Sequence, residues 1–141
     1  MSKAWKDAER QVAKALGGTR RIRVTYSESC EDVIHPTLGI EVKYGRQVPV
    51  SSMVTQPTMT REFVLVPFRY LHFLITGAQI DAFVEGSVKG RGFILKGLKQ
   101  ARNYNSDKLP VLCLKRPRCR GFVAVMFRSD FVKLRVRPIA L

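Results

Sequence analysis

The sequence predicts a single α/β domain, and three observations support this class. The length of 141 residues suits one domain with a substantial core, and 45% of the residues are hydrophobic. Two segments have the apolar spacing of amphipathic helices. Several short segments instead alternate apolar and charged residues, as half-buried strands do. No internal repeat or low-complexity tract breaks this pattern.

The first helix is predicted to run from Ser2, its N-cap, to Leu16, with Gly17 and Gly18 as its stop. Glu9 lies within the apolar stripe of this helix. A carboxylate that faces a core needs a partner, because unpaired burial is costly. Two interpretations are open: a buried salt bridge to an arginine, or an acidic group directed at a functional site.

Residues 31–43 predict a β-hairpin, because two segments that alternate apolar and charged residues flank a turn with proline and glycine. We take Ile34 to pair with Gly39. In that register Asp32 lies opposite Glu41 across the ladder. We regard this hairpin as the centre of the chain.

Two carboxylates that face each other repel and destabilise a ladder. A divalent cation bound between them turns this repulsion into a net attraction. Mg²⁺ takes oxygen ligands, usually one or two carboxylates with water and substrate phosphate. Lys43 shares the strand face of Glu41, where it suits the orientation of a water or the stabilisation of charge on phosphate. The alternative is a solvated hairpin with scattered charges. Acidic residues are scarce, yet Glu28 and Glu31 also lie here.

The charge of +14 and the pI near 10.4 indicate a polyanionic partner, with nucleic acid as the first candidate and an anionic membrane as the second. Cys30, Cys113 and Cys119 form no CxxC pair and no zinc spacing, which favours a reducing, cytoplasmic compartment. The N-terminus lacks the apolar region of a signal peptide. The longest apolar stretch, 63–75, is too short and too interrupted to span a bilayer.

A strand is predicted over 19–26, where Arg21 and Arg23 form a face suited to tracking phosphates; an exposed basic edge strand is the alternative. Tyr44 and Arg46 follow the hairpin and are placed to contact sugar-phosphate. Residues 50–62 are typical of a loop.

The stretch 63–75 is compatible with a helix interrupted at Pro67 or with two buried strands, since its periodicity does not decide. It is a candidate for burial in a dimer, with the internal core as the alternative. Four glycines mark a connector over 76–92.

A second, basic helix is predicted over 93–105, in which Gln100 and Tyr104 are four apart and share a face. Two apolar strands follow, joined by a basic loop, and a short helix comes last; their predicted bounds are 109–115, 121–127 and 130–134.

An ordered set of residues now stands out: Glu9 on a helix, a strand, Asp32, then Glu41-Val42-Lys43, and Gln100 on a later helix. This set resembles the PD-(D/E)xK nuclease superfamily, and looks most like the small Holliday junction resolvases of archaea and phages. The resemblance covers residues 3–49 and 94–134.

The resemblance implies a restriction-endonuclease-like fold, in which helices flank a mixed central sheet. It implies hydrolysis of phosphodiester bonds in branched DNA with Mg²⁺, for which Mn²⁺ would substitute. A homodimer is expected, because resolution of a junction needs two symmetric cuts and the chain has one acidic cluster. In a phage, the compartment would be the host cytoplasm.

The resemblance also implies a role for each matching residue. Glu9, Asp32, Glu41 and the Val42 carbonyl would ligate the metal. Lys43 would position or activate the attacking water, and Gln100 matches a glutamine on the helix after the motif. The DNA-binding residues would be Arg21, Arg23, Tyr44, Arg46, Lys99, Arg102 and Tyr104.

The sequence departs from the family pattern in three ways. Glu31 stands where the family usually has proline, and Asp32 and Glu41 are close in sequence, with a short turn between them. The largest departure is the stretch of about 51–92, treated as an insertion within the single domain, and it bears on the substrate class. Two alternatives stay open: a sequence-specific or end-processing nuclease of the same fold, or a non-catalytic basic nucleic-acid-binding protein in which the acidic residues are incidental.

Overall fold

The computed structural model describes residues 2–22, 31–49, 55–71, 83–104 and 107–134. Within these ranges the chain is a mixed α/β domain with one eight-stranded sheet and three α-helices. The elements in chain order are α1 (Lys3–Leu16), β1 (Thr19–Arg20), β2 (Val33–Ile34), β3 (Leu38–Tyr44), β4 (Thr58–Met59), β5 (Phe63–Pro67), β6 (Val84–Glu85), α2 (Arg91–Tyr104), β7 (Leu109–Lys115), β8 (Val123–Phe127) and α3 (Arg128–Leu134).

The strand order is β1-β2-β3-β7-β8-β5-β4-β6. The pairs β3–β7 and β4–β6 are parallel, and the other neighbours are antiparallel. The parallel pair β3–β7 is the longest ladder, and a parallel pair requires a crossover connection. The helix α2 packs on both strands of this pair and therefore covers the centre of the sheet.

Both faces of the sheet are buried. On β5, Val64 and Val66 join the apolar cluster with α1 and α3, while Phe63 and Leu65 join the cluster with α2. A strand buried on both faces has no polar alternation, which explains why periodicity could not assign this segment.

The position of β5 also corrects one expectation. Its residues, Phe63–Pro67, lie in the internal core between β8 and β4, so this part of 63–75 is not a dimer surface. A 3₁₀ turn, Phe68–Tyr70, follows β5. Residues 72–75 lie outside the described part of the chain.

The predicted bounds of α1 are confirmed. The Ser2 side chain accepts a hydrogen bond from the Trp5 N–H at 3.2 Å and caps the helix. Gly17 ends it in the left-handed conformation, with φ of 76°. Glycine adopts this conformation without the steric strain that a Cβ causes in other residues.

The predicted hairpin and its register are confirmed: Val33 pairs with Ile40, which is the register that pairs Ile34 with Gly39. The strand predicted over 19–26 is shorter in the structure. Only Thr19–Arg20 is a strand, and the stretch from Arg23 onward lies outside the described residues.

The stretch 51–92 extends the sheet rather than forming a separate unit. Its described part supplies β4, β5 and β6, which continue the sheet beyond β8. The predicted glycine connector contains β6 and leads into α2, and residues 76–82 are not described. Among the residues that the structure describes, no helix has the length and apolar character needed to cross a membrane.

Candidate functional site

The Glu41 carboxylate lies in the middle of β3 and is 4% exposed. Its Oε1 forms an ion pair with Lys43 Nζ at 3.1 Å. The two side chains meet because residues two apart on a strand project from the same face. The lysine side chain is 28% exposed, so the ammonium lies between the buried acid and solvent.

Two residues of α2 complete a closed ring of contacts with this pair. Gln100 Oε1 accepts a hydrogen bond from Lys43 Nζ at 3.0 Å, and Gln100 Nε2 donates to the Tyr104 hydroxyl at 2.9 Å. The Tyr104 hydroxyl donates to Glu41 Oε2 at 2.6 Å. The prediction that Gln100 and Tyr104 share a helix face is confirmed, and that face points at the hairpin.

The environment of Tyr104 holds its phenol in the neutral form. Burial raises the pKa of Tyr104, and the hydrogen bond to Glu41 and the negative charges of Glu41 and Asp32 raise it further. The hydrogen bond from Gln100 opposes this shift. The hydroxyl therefore keeps its proton at neutral pH and remains a donor to Glu41.

Asp32 is buried beside the same strand. Its Oδ2 accepts a hydrogen bond from the Val42 N–H at 2.8 Å, and its own N–H donates to the Ile40 carbonyl at 3.0 Å. The Val42 N–H thus points toward β2, and the carbonyl of a strand residue projects to the same side as its N–H. The Val42 carbonyl therefore faces the side on which Asp32 lies.

The oxygens of Asp32, Glu41 and Val42 fit a magnesium ion in their chemistry. Hard cations prefer carboxylate and carbonyl oxygens. Each carboxylate oxygen has two lone pairs, so an oxygen that accepts one hydrogen bond can still bind a cation. In the described part of the chain, however, no three side chains of the His, Cys, Asp or Glu types gather as a metal-holding group.

Glu9 has the arginine partner that the structural interpretation requires. Its carboxylate is 2% exposed, and its Oε1 accepts from Arg20 Nε at 2.9 Å. Arg20 pairs with Val33 in the sheet, on the side where α1 packs. The metal role of Glu9 stays a prediction, and the ion pair favours a structural role.

Arg21, predicted to contact phosphate, forms an ion pair with Glu31, and its phosphate contact stays a prediction. Its guanidinium donates to the Glu31 carbonyl at 3.1 Å and to Oε1 at 3.2 Å, and Lys108 Nζ lies 3.3 Å from the same oxygen. Burial acts to raise the pKa of Glu31, but a backbone hydrogen bond, Lys108 and Arg21 together lower it. The carboxylate therefore stays charged and offsets both cations. Arg23 lies outside the described residues.

The other predicted DNA contacts are divided between the two faces of the sheet. The Tyr44 ring lies 6.2 Å from the Trp5 ring of α1, on the face opposite Lys43. Arg46 is exposed just beyond β3, and Lys99 is exposed on α2. The Arg102 guanidinium lies 4.0 Å from the centre of the Phe127 ring.

Sequence analysis missed the role of His35, which holds the turn of the hairpin. Its Nδ1 accepts hydrogen bonds from the Thr37 N–H and the Leu38 N–H, both at 3.1 Å. Aspartate and asparagine often accept from a backbone N–H two residues on in the same way, and this spacing was the available signal. Burial lowers the pKa of His35, the charge of Lys108 adds to this, and the Leu16 carbonyl opposes it.

Comparisons with protein-family models, curated proteins and solved structures return no match for this chain.

The stability of the fold should fall with acidification through the titration of His35. Above its ordinary pKa of 6.5, the ring is neutral in both states. Below that pH the unfolded state binds a proton that the folded state resists, because protonated Nδ1 cannot accept its two backbone donors. The free energy of unfolding, measured by urea denaturation between about pH 7 and pH 5, should therefore decrease as pH falls.

Two variants separate this effect from other titrations. His35→Gln keeps a side-chain acceptor and should remove most of the slope between these pH values. His72→Gln replaces the other histidine and should keep the slope. An unchanged slope in His35→Gln would contradict the assignment.

The ion pair between Glu9 and Arg20 predicts a structural phenotype for Glu9→Gln. Loss of the charged partner of a largely buried arginine should lower the free energy of unfolding by about 1–3 kcal/mol. The matched control is Glu62→Gln, which removes the exposed pair with Arg91 and should cost about 0–1 kcal/mol. A variant with unchanged stability and a large loss of activity per folded molecule would support a metal role instead.

Proposed function

We propose that this chain is a Mg²⁺-dependent, structure-selective DNA endonuclease with a restriction-endonuclease-like fold, which cleaves phosphodiester bonds at four-way junctions. One observation carries the proposal: Lys43 bridges Glu41 and Gln100 at 3.1 Å and 3.0 Å. The buried Asp32 is anchored to the residue between Glu41 and Lys43. A lysine fixed to one buried acid, with a second buried acid bonded to the neighbouring strand residue, matches the chemical needs of phosphodiester hydrolysis.

The protein groups have separable tasks in this proposal. A magnesium ion bound by Asp32, Glu41 and the Val42 carbonyl would supply Lewis-acid polarisation of the phosphate and a water of lowered pKa. Lys43 places a positive charge where negative charge develops on the phosphate. Gln100 holds the ammonium in position through its hydrogen bond, which reduces the reorganisation needed during the reaction.

The surface next to the site supports an anionic substrate. A shallow depression of about 580 Å³ lies on α2 beside the site, and its lining residues are Gly92, Leu95, Lys96, Lys99, Gln100 and Asn103. Two of these side chains are cationic and exposed. Lysine ammonium groups bind phosphate as point charges, so this surface would hold a DNA backbone next to Gln100.

A second candidate function is favoured by the ion pairs of the acidic residues. Glu9 pairs with Arg20, Glu31 with Arg21 and Lys108, and Glu41 with Lys43. Charges that are paired within the protein are also expected of a non-catalytic basic nucleic-acid-binding protein. The two functions differ in one measurement: only the nuclease cleaves labelled four-way junction DNA when Mg²⁺ is added.

The Asp32→Asn and Glu41→Gln variants test the proposed site directly. Each amide keeps a hydrogen-bond acceptor for its main partner, so both variants should fold. Each should reduce the Mg²⁺-dependent cleavage rate by at least about 100-fold, the effect of losing one preorganised charge-stabilising group. Junction binding measured in EDTA should be unchanged or tighter, because one negative charge near phosphate is removed.

The control for these variants is Asp7→Asn, which makes the same chemical change in an exposed acid paired with Arg10 on α1. It should cleave at the wild-type rate. Near-wild-type cleavage by Asp32→Asn or Glu41→Gln would refute the site. Absence of cleavage by the wild-type protein, with intact junction binding, would favour the non-catalytic function.

Junction resolution also predicts a homodimer with two identical sites. A C₂ dimer holds these sites at a fixed separation and cuts both strands within one encounter. In a supercoiled plasmid that extrudes a cruciform, the expected product is linear DNA with little accumulated nicked circle. Light scattering at the assay concentration should give twice the mass of the 16.0 kDa chain.

Two results would contradict junction resolution. A monomer by light scattering, together with nicked circles that never become linear, would indicate a nicking or end-processing nuclease. Equal rates on the cruciform plasmid and on a linear duplex would indicate an enzyme without structural selectivity.

A further inference from the structure

A groove of about 680 Å³ opens beyond the C-terminal end of β3. It lies between the segment that follows β3 and the segment that joins β6 to α2. Gly90 brings these segments together: its φ is 83°, and a Cβ there would lie 2.5 Å from Pro49 Cβ. Only glycine fits this close approach without strain, so the contact between the two segments depends on Gly90.

Three cationic residues line the groove: Arg46, Lys89 and Arg116. They come from three separate segments of the chain, and none of the described lining residues is acidic. Glu85 is next to the groove in sequence, but Val84 lines it, and successive strand residues project to opposite faces. The groove therefore presents a positive potential to an anionic ligand.

The rest of the lining mixes apolar and polar residues. Pro49, Val84 and Val88 form what we call the apolar wall, in which Val84 is 48% exposed, and the polar lining residues are Gln47, Thr55, Gln56, Thr58 and Ser87. Apolar side chains do not stabilise a bound phosphate, but they do stabilise the faces of nucleobases through contact. In a duplex those faces are stacked inside the helix, and only an unpaired strand offers them to a protein.

The groove is near the candidate catalytic site. Arg46 follows Lys43 by three residues, so their Cα atoms are at most about 11 Å apart by the reach of an extended chain. A strand whose phosphate lies at Lys43 therefore reaches the groove within a few nucleotides.

We infer that this groove binds an unpaired DNA strand, with Arg46, Lys89 and Arg116 on its phosphates and the apolar wall against its bases. The link between this strand and cleavage rests on the proposed nuclease function, whereas strand binding does not. Substrates with an unpaired segment next to the cut, such as open junctions and forks, are then preferred over continuous duplex.

The test measures binding without cleavage. Fluorescence anisotropy in EDTA would compare labelled oligo-dT with a blunt duplex, for the wild-type protein and for Arg46→Glu/Lys89→Glu/Arg116→Glu. The matched control is Lys3→Glu/Lys14→Glu/Lys133→Glu, which reverses three exposed charges far from the groove residues in sequence. Thermal melting would verify that both triple variants fold.

The groove variant should bind oligo-dT at least about tenfold more weakly than the control variant at moderate salt. The slope of log affinity against log salt should fall by about 2, since each lost phosphate contact on a single strand removes about 0.7. The loss for duplex should be equal in the two variants. A steric variant, Gly86→Leu, keeps all three cations and meets no atom within 4 Å at its Cβ; it should weaken oligo-dT binding alone.

Equal oligo-dT affinity in the groove and control variants would overturn the inference. An equal loss for oligo-dT and duplex in the groove variant would also overturn it, since the groove would then be a general phosphate surface. If the wild-type protein cleaves no DNA, and the groove variant but not the control variant loses affinity for oligo-dT, the nuclease function fails and the groove assignment stands. If the wild-type protein cleaves forks and the groove variant matches the control in oligo-dT binding, the groove assignment fails alone.

Discussion

The burial of the Glu41 carboxylate is the constraint on which the centre of this structure depends. A charged group in the interior of a sheet is tolerated only when donors satisfy its oxygens. Here one donor is Lys43, which lies two residues further along the same strand. The other donor is Tyr104 of α2, the helix that covers that strand. The packing of α2 on β3 is therefore fixed by polar contacts, whereas the apolar cluster around Ile94 and Leu98 packs α2 on β7, β8 and β5.

The elements that sequence predicted well are those with local signals. The cap of α1 at Ser2, its stop at Gly17 and the register of the hairpin follow from side chains within a few residues of each other. The spacing of Gln100 and Tyr104 is local in the same sense. What links them to Glu41 is a contact across 63 positions of sequence, and sequence analysis did not predict it, since the family resemblance placed Tyr104 among the DNA-binding residues.

The elements that sequence did not decide are those with non-local causes. The strand β5 is buried on both faces, so it lacks the alternation that marks a half-buried strand. Glu9 is buried in either interpretation, and only the position of Arg20 indicates its partner. The described part of the predicted insertion continues the sheet, because β5 pairs with β8, which follows it by more than fifty residues.

The arrangement of charges supports the proposal of catalysis over that of simple binding. A protein that only binds nucleic acid needs cations at its surface, and phosphate contacts supply most of its affinity. A buried carboxylate beneath Lys43 works against that need, because it carries a desolvation cost and reduces the positive charge that the lysine presents to phosphate. Gln100 and Tyr104 then add orientation at a point where a binding surface gains little from it. Lys43 is oriented by Glu41, and Asp32 is anchored to the strand residue between those two. This arrangement suits a reaction better than it suits binding affinity. It is the physical basis for the nuclease proposal.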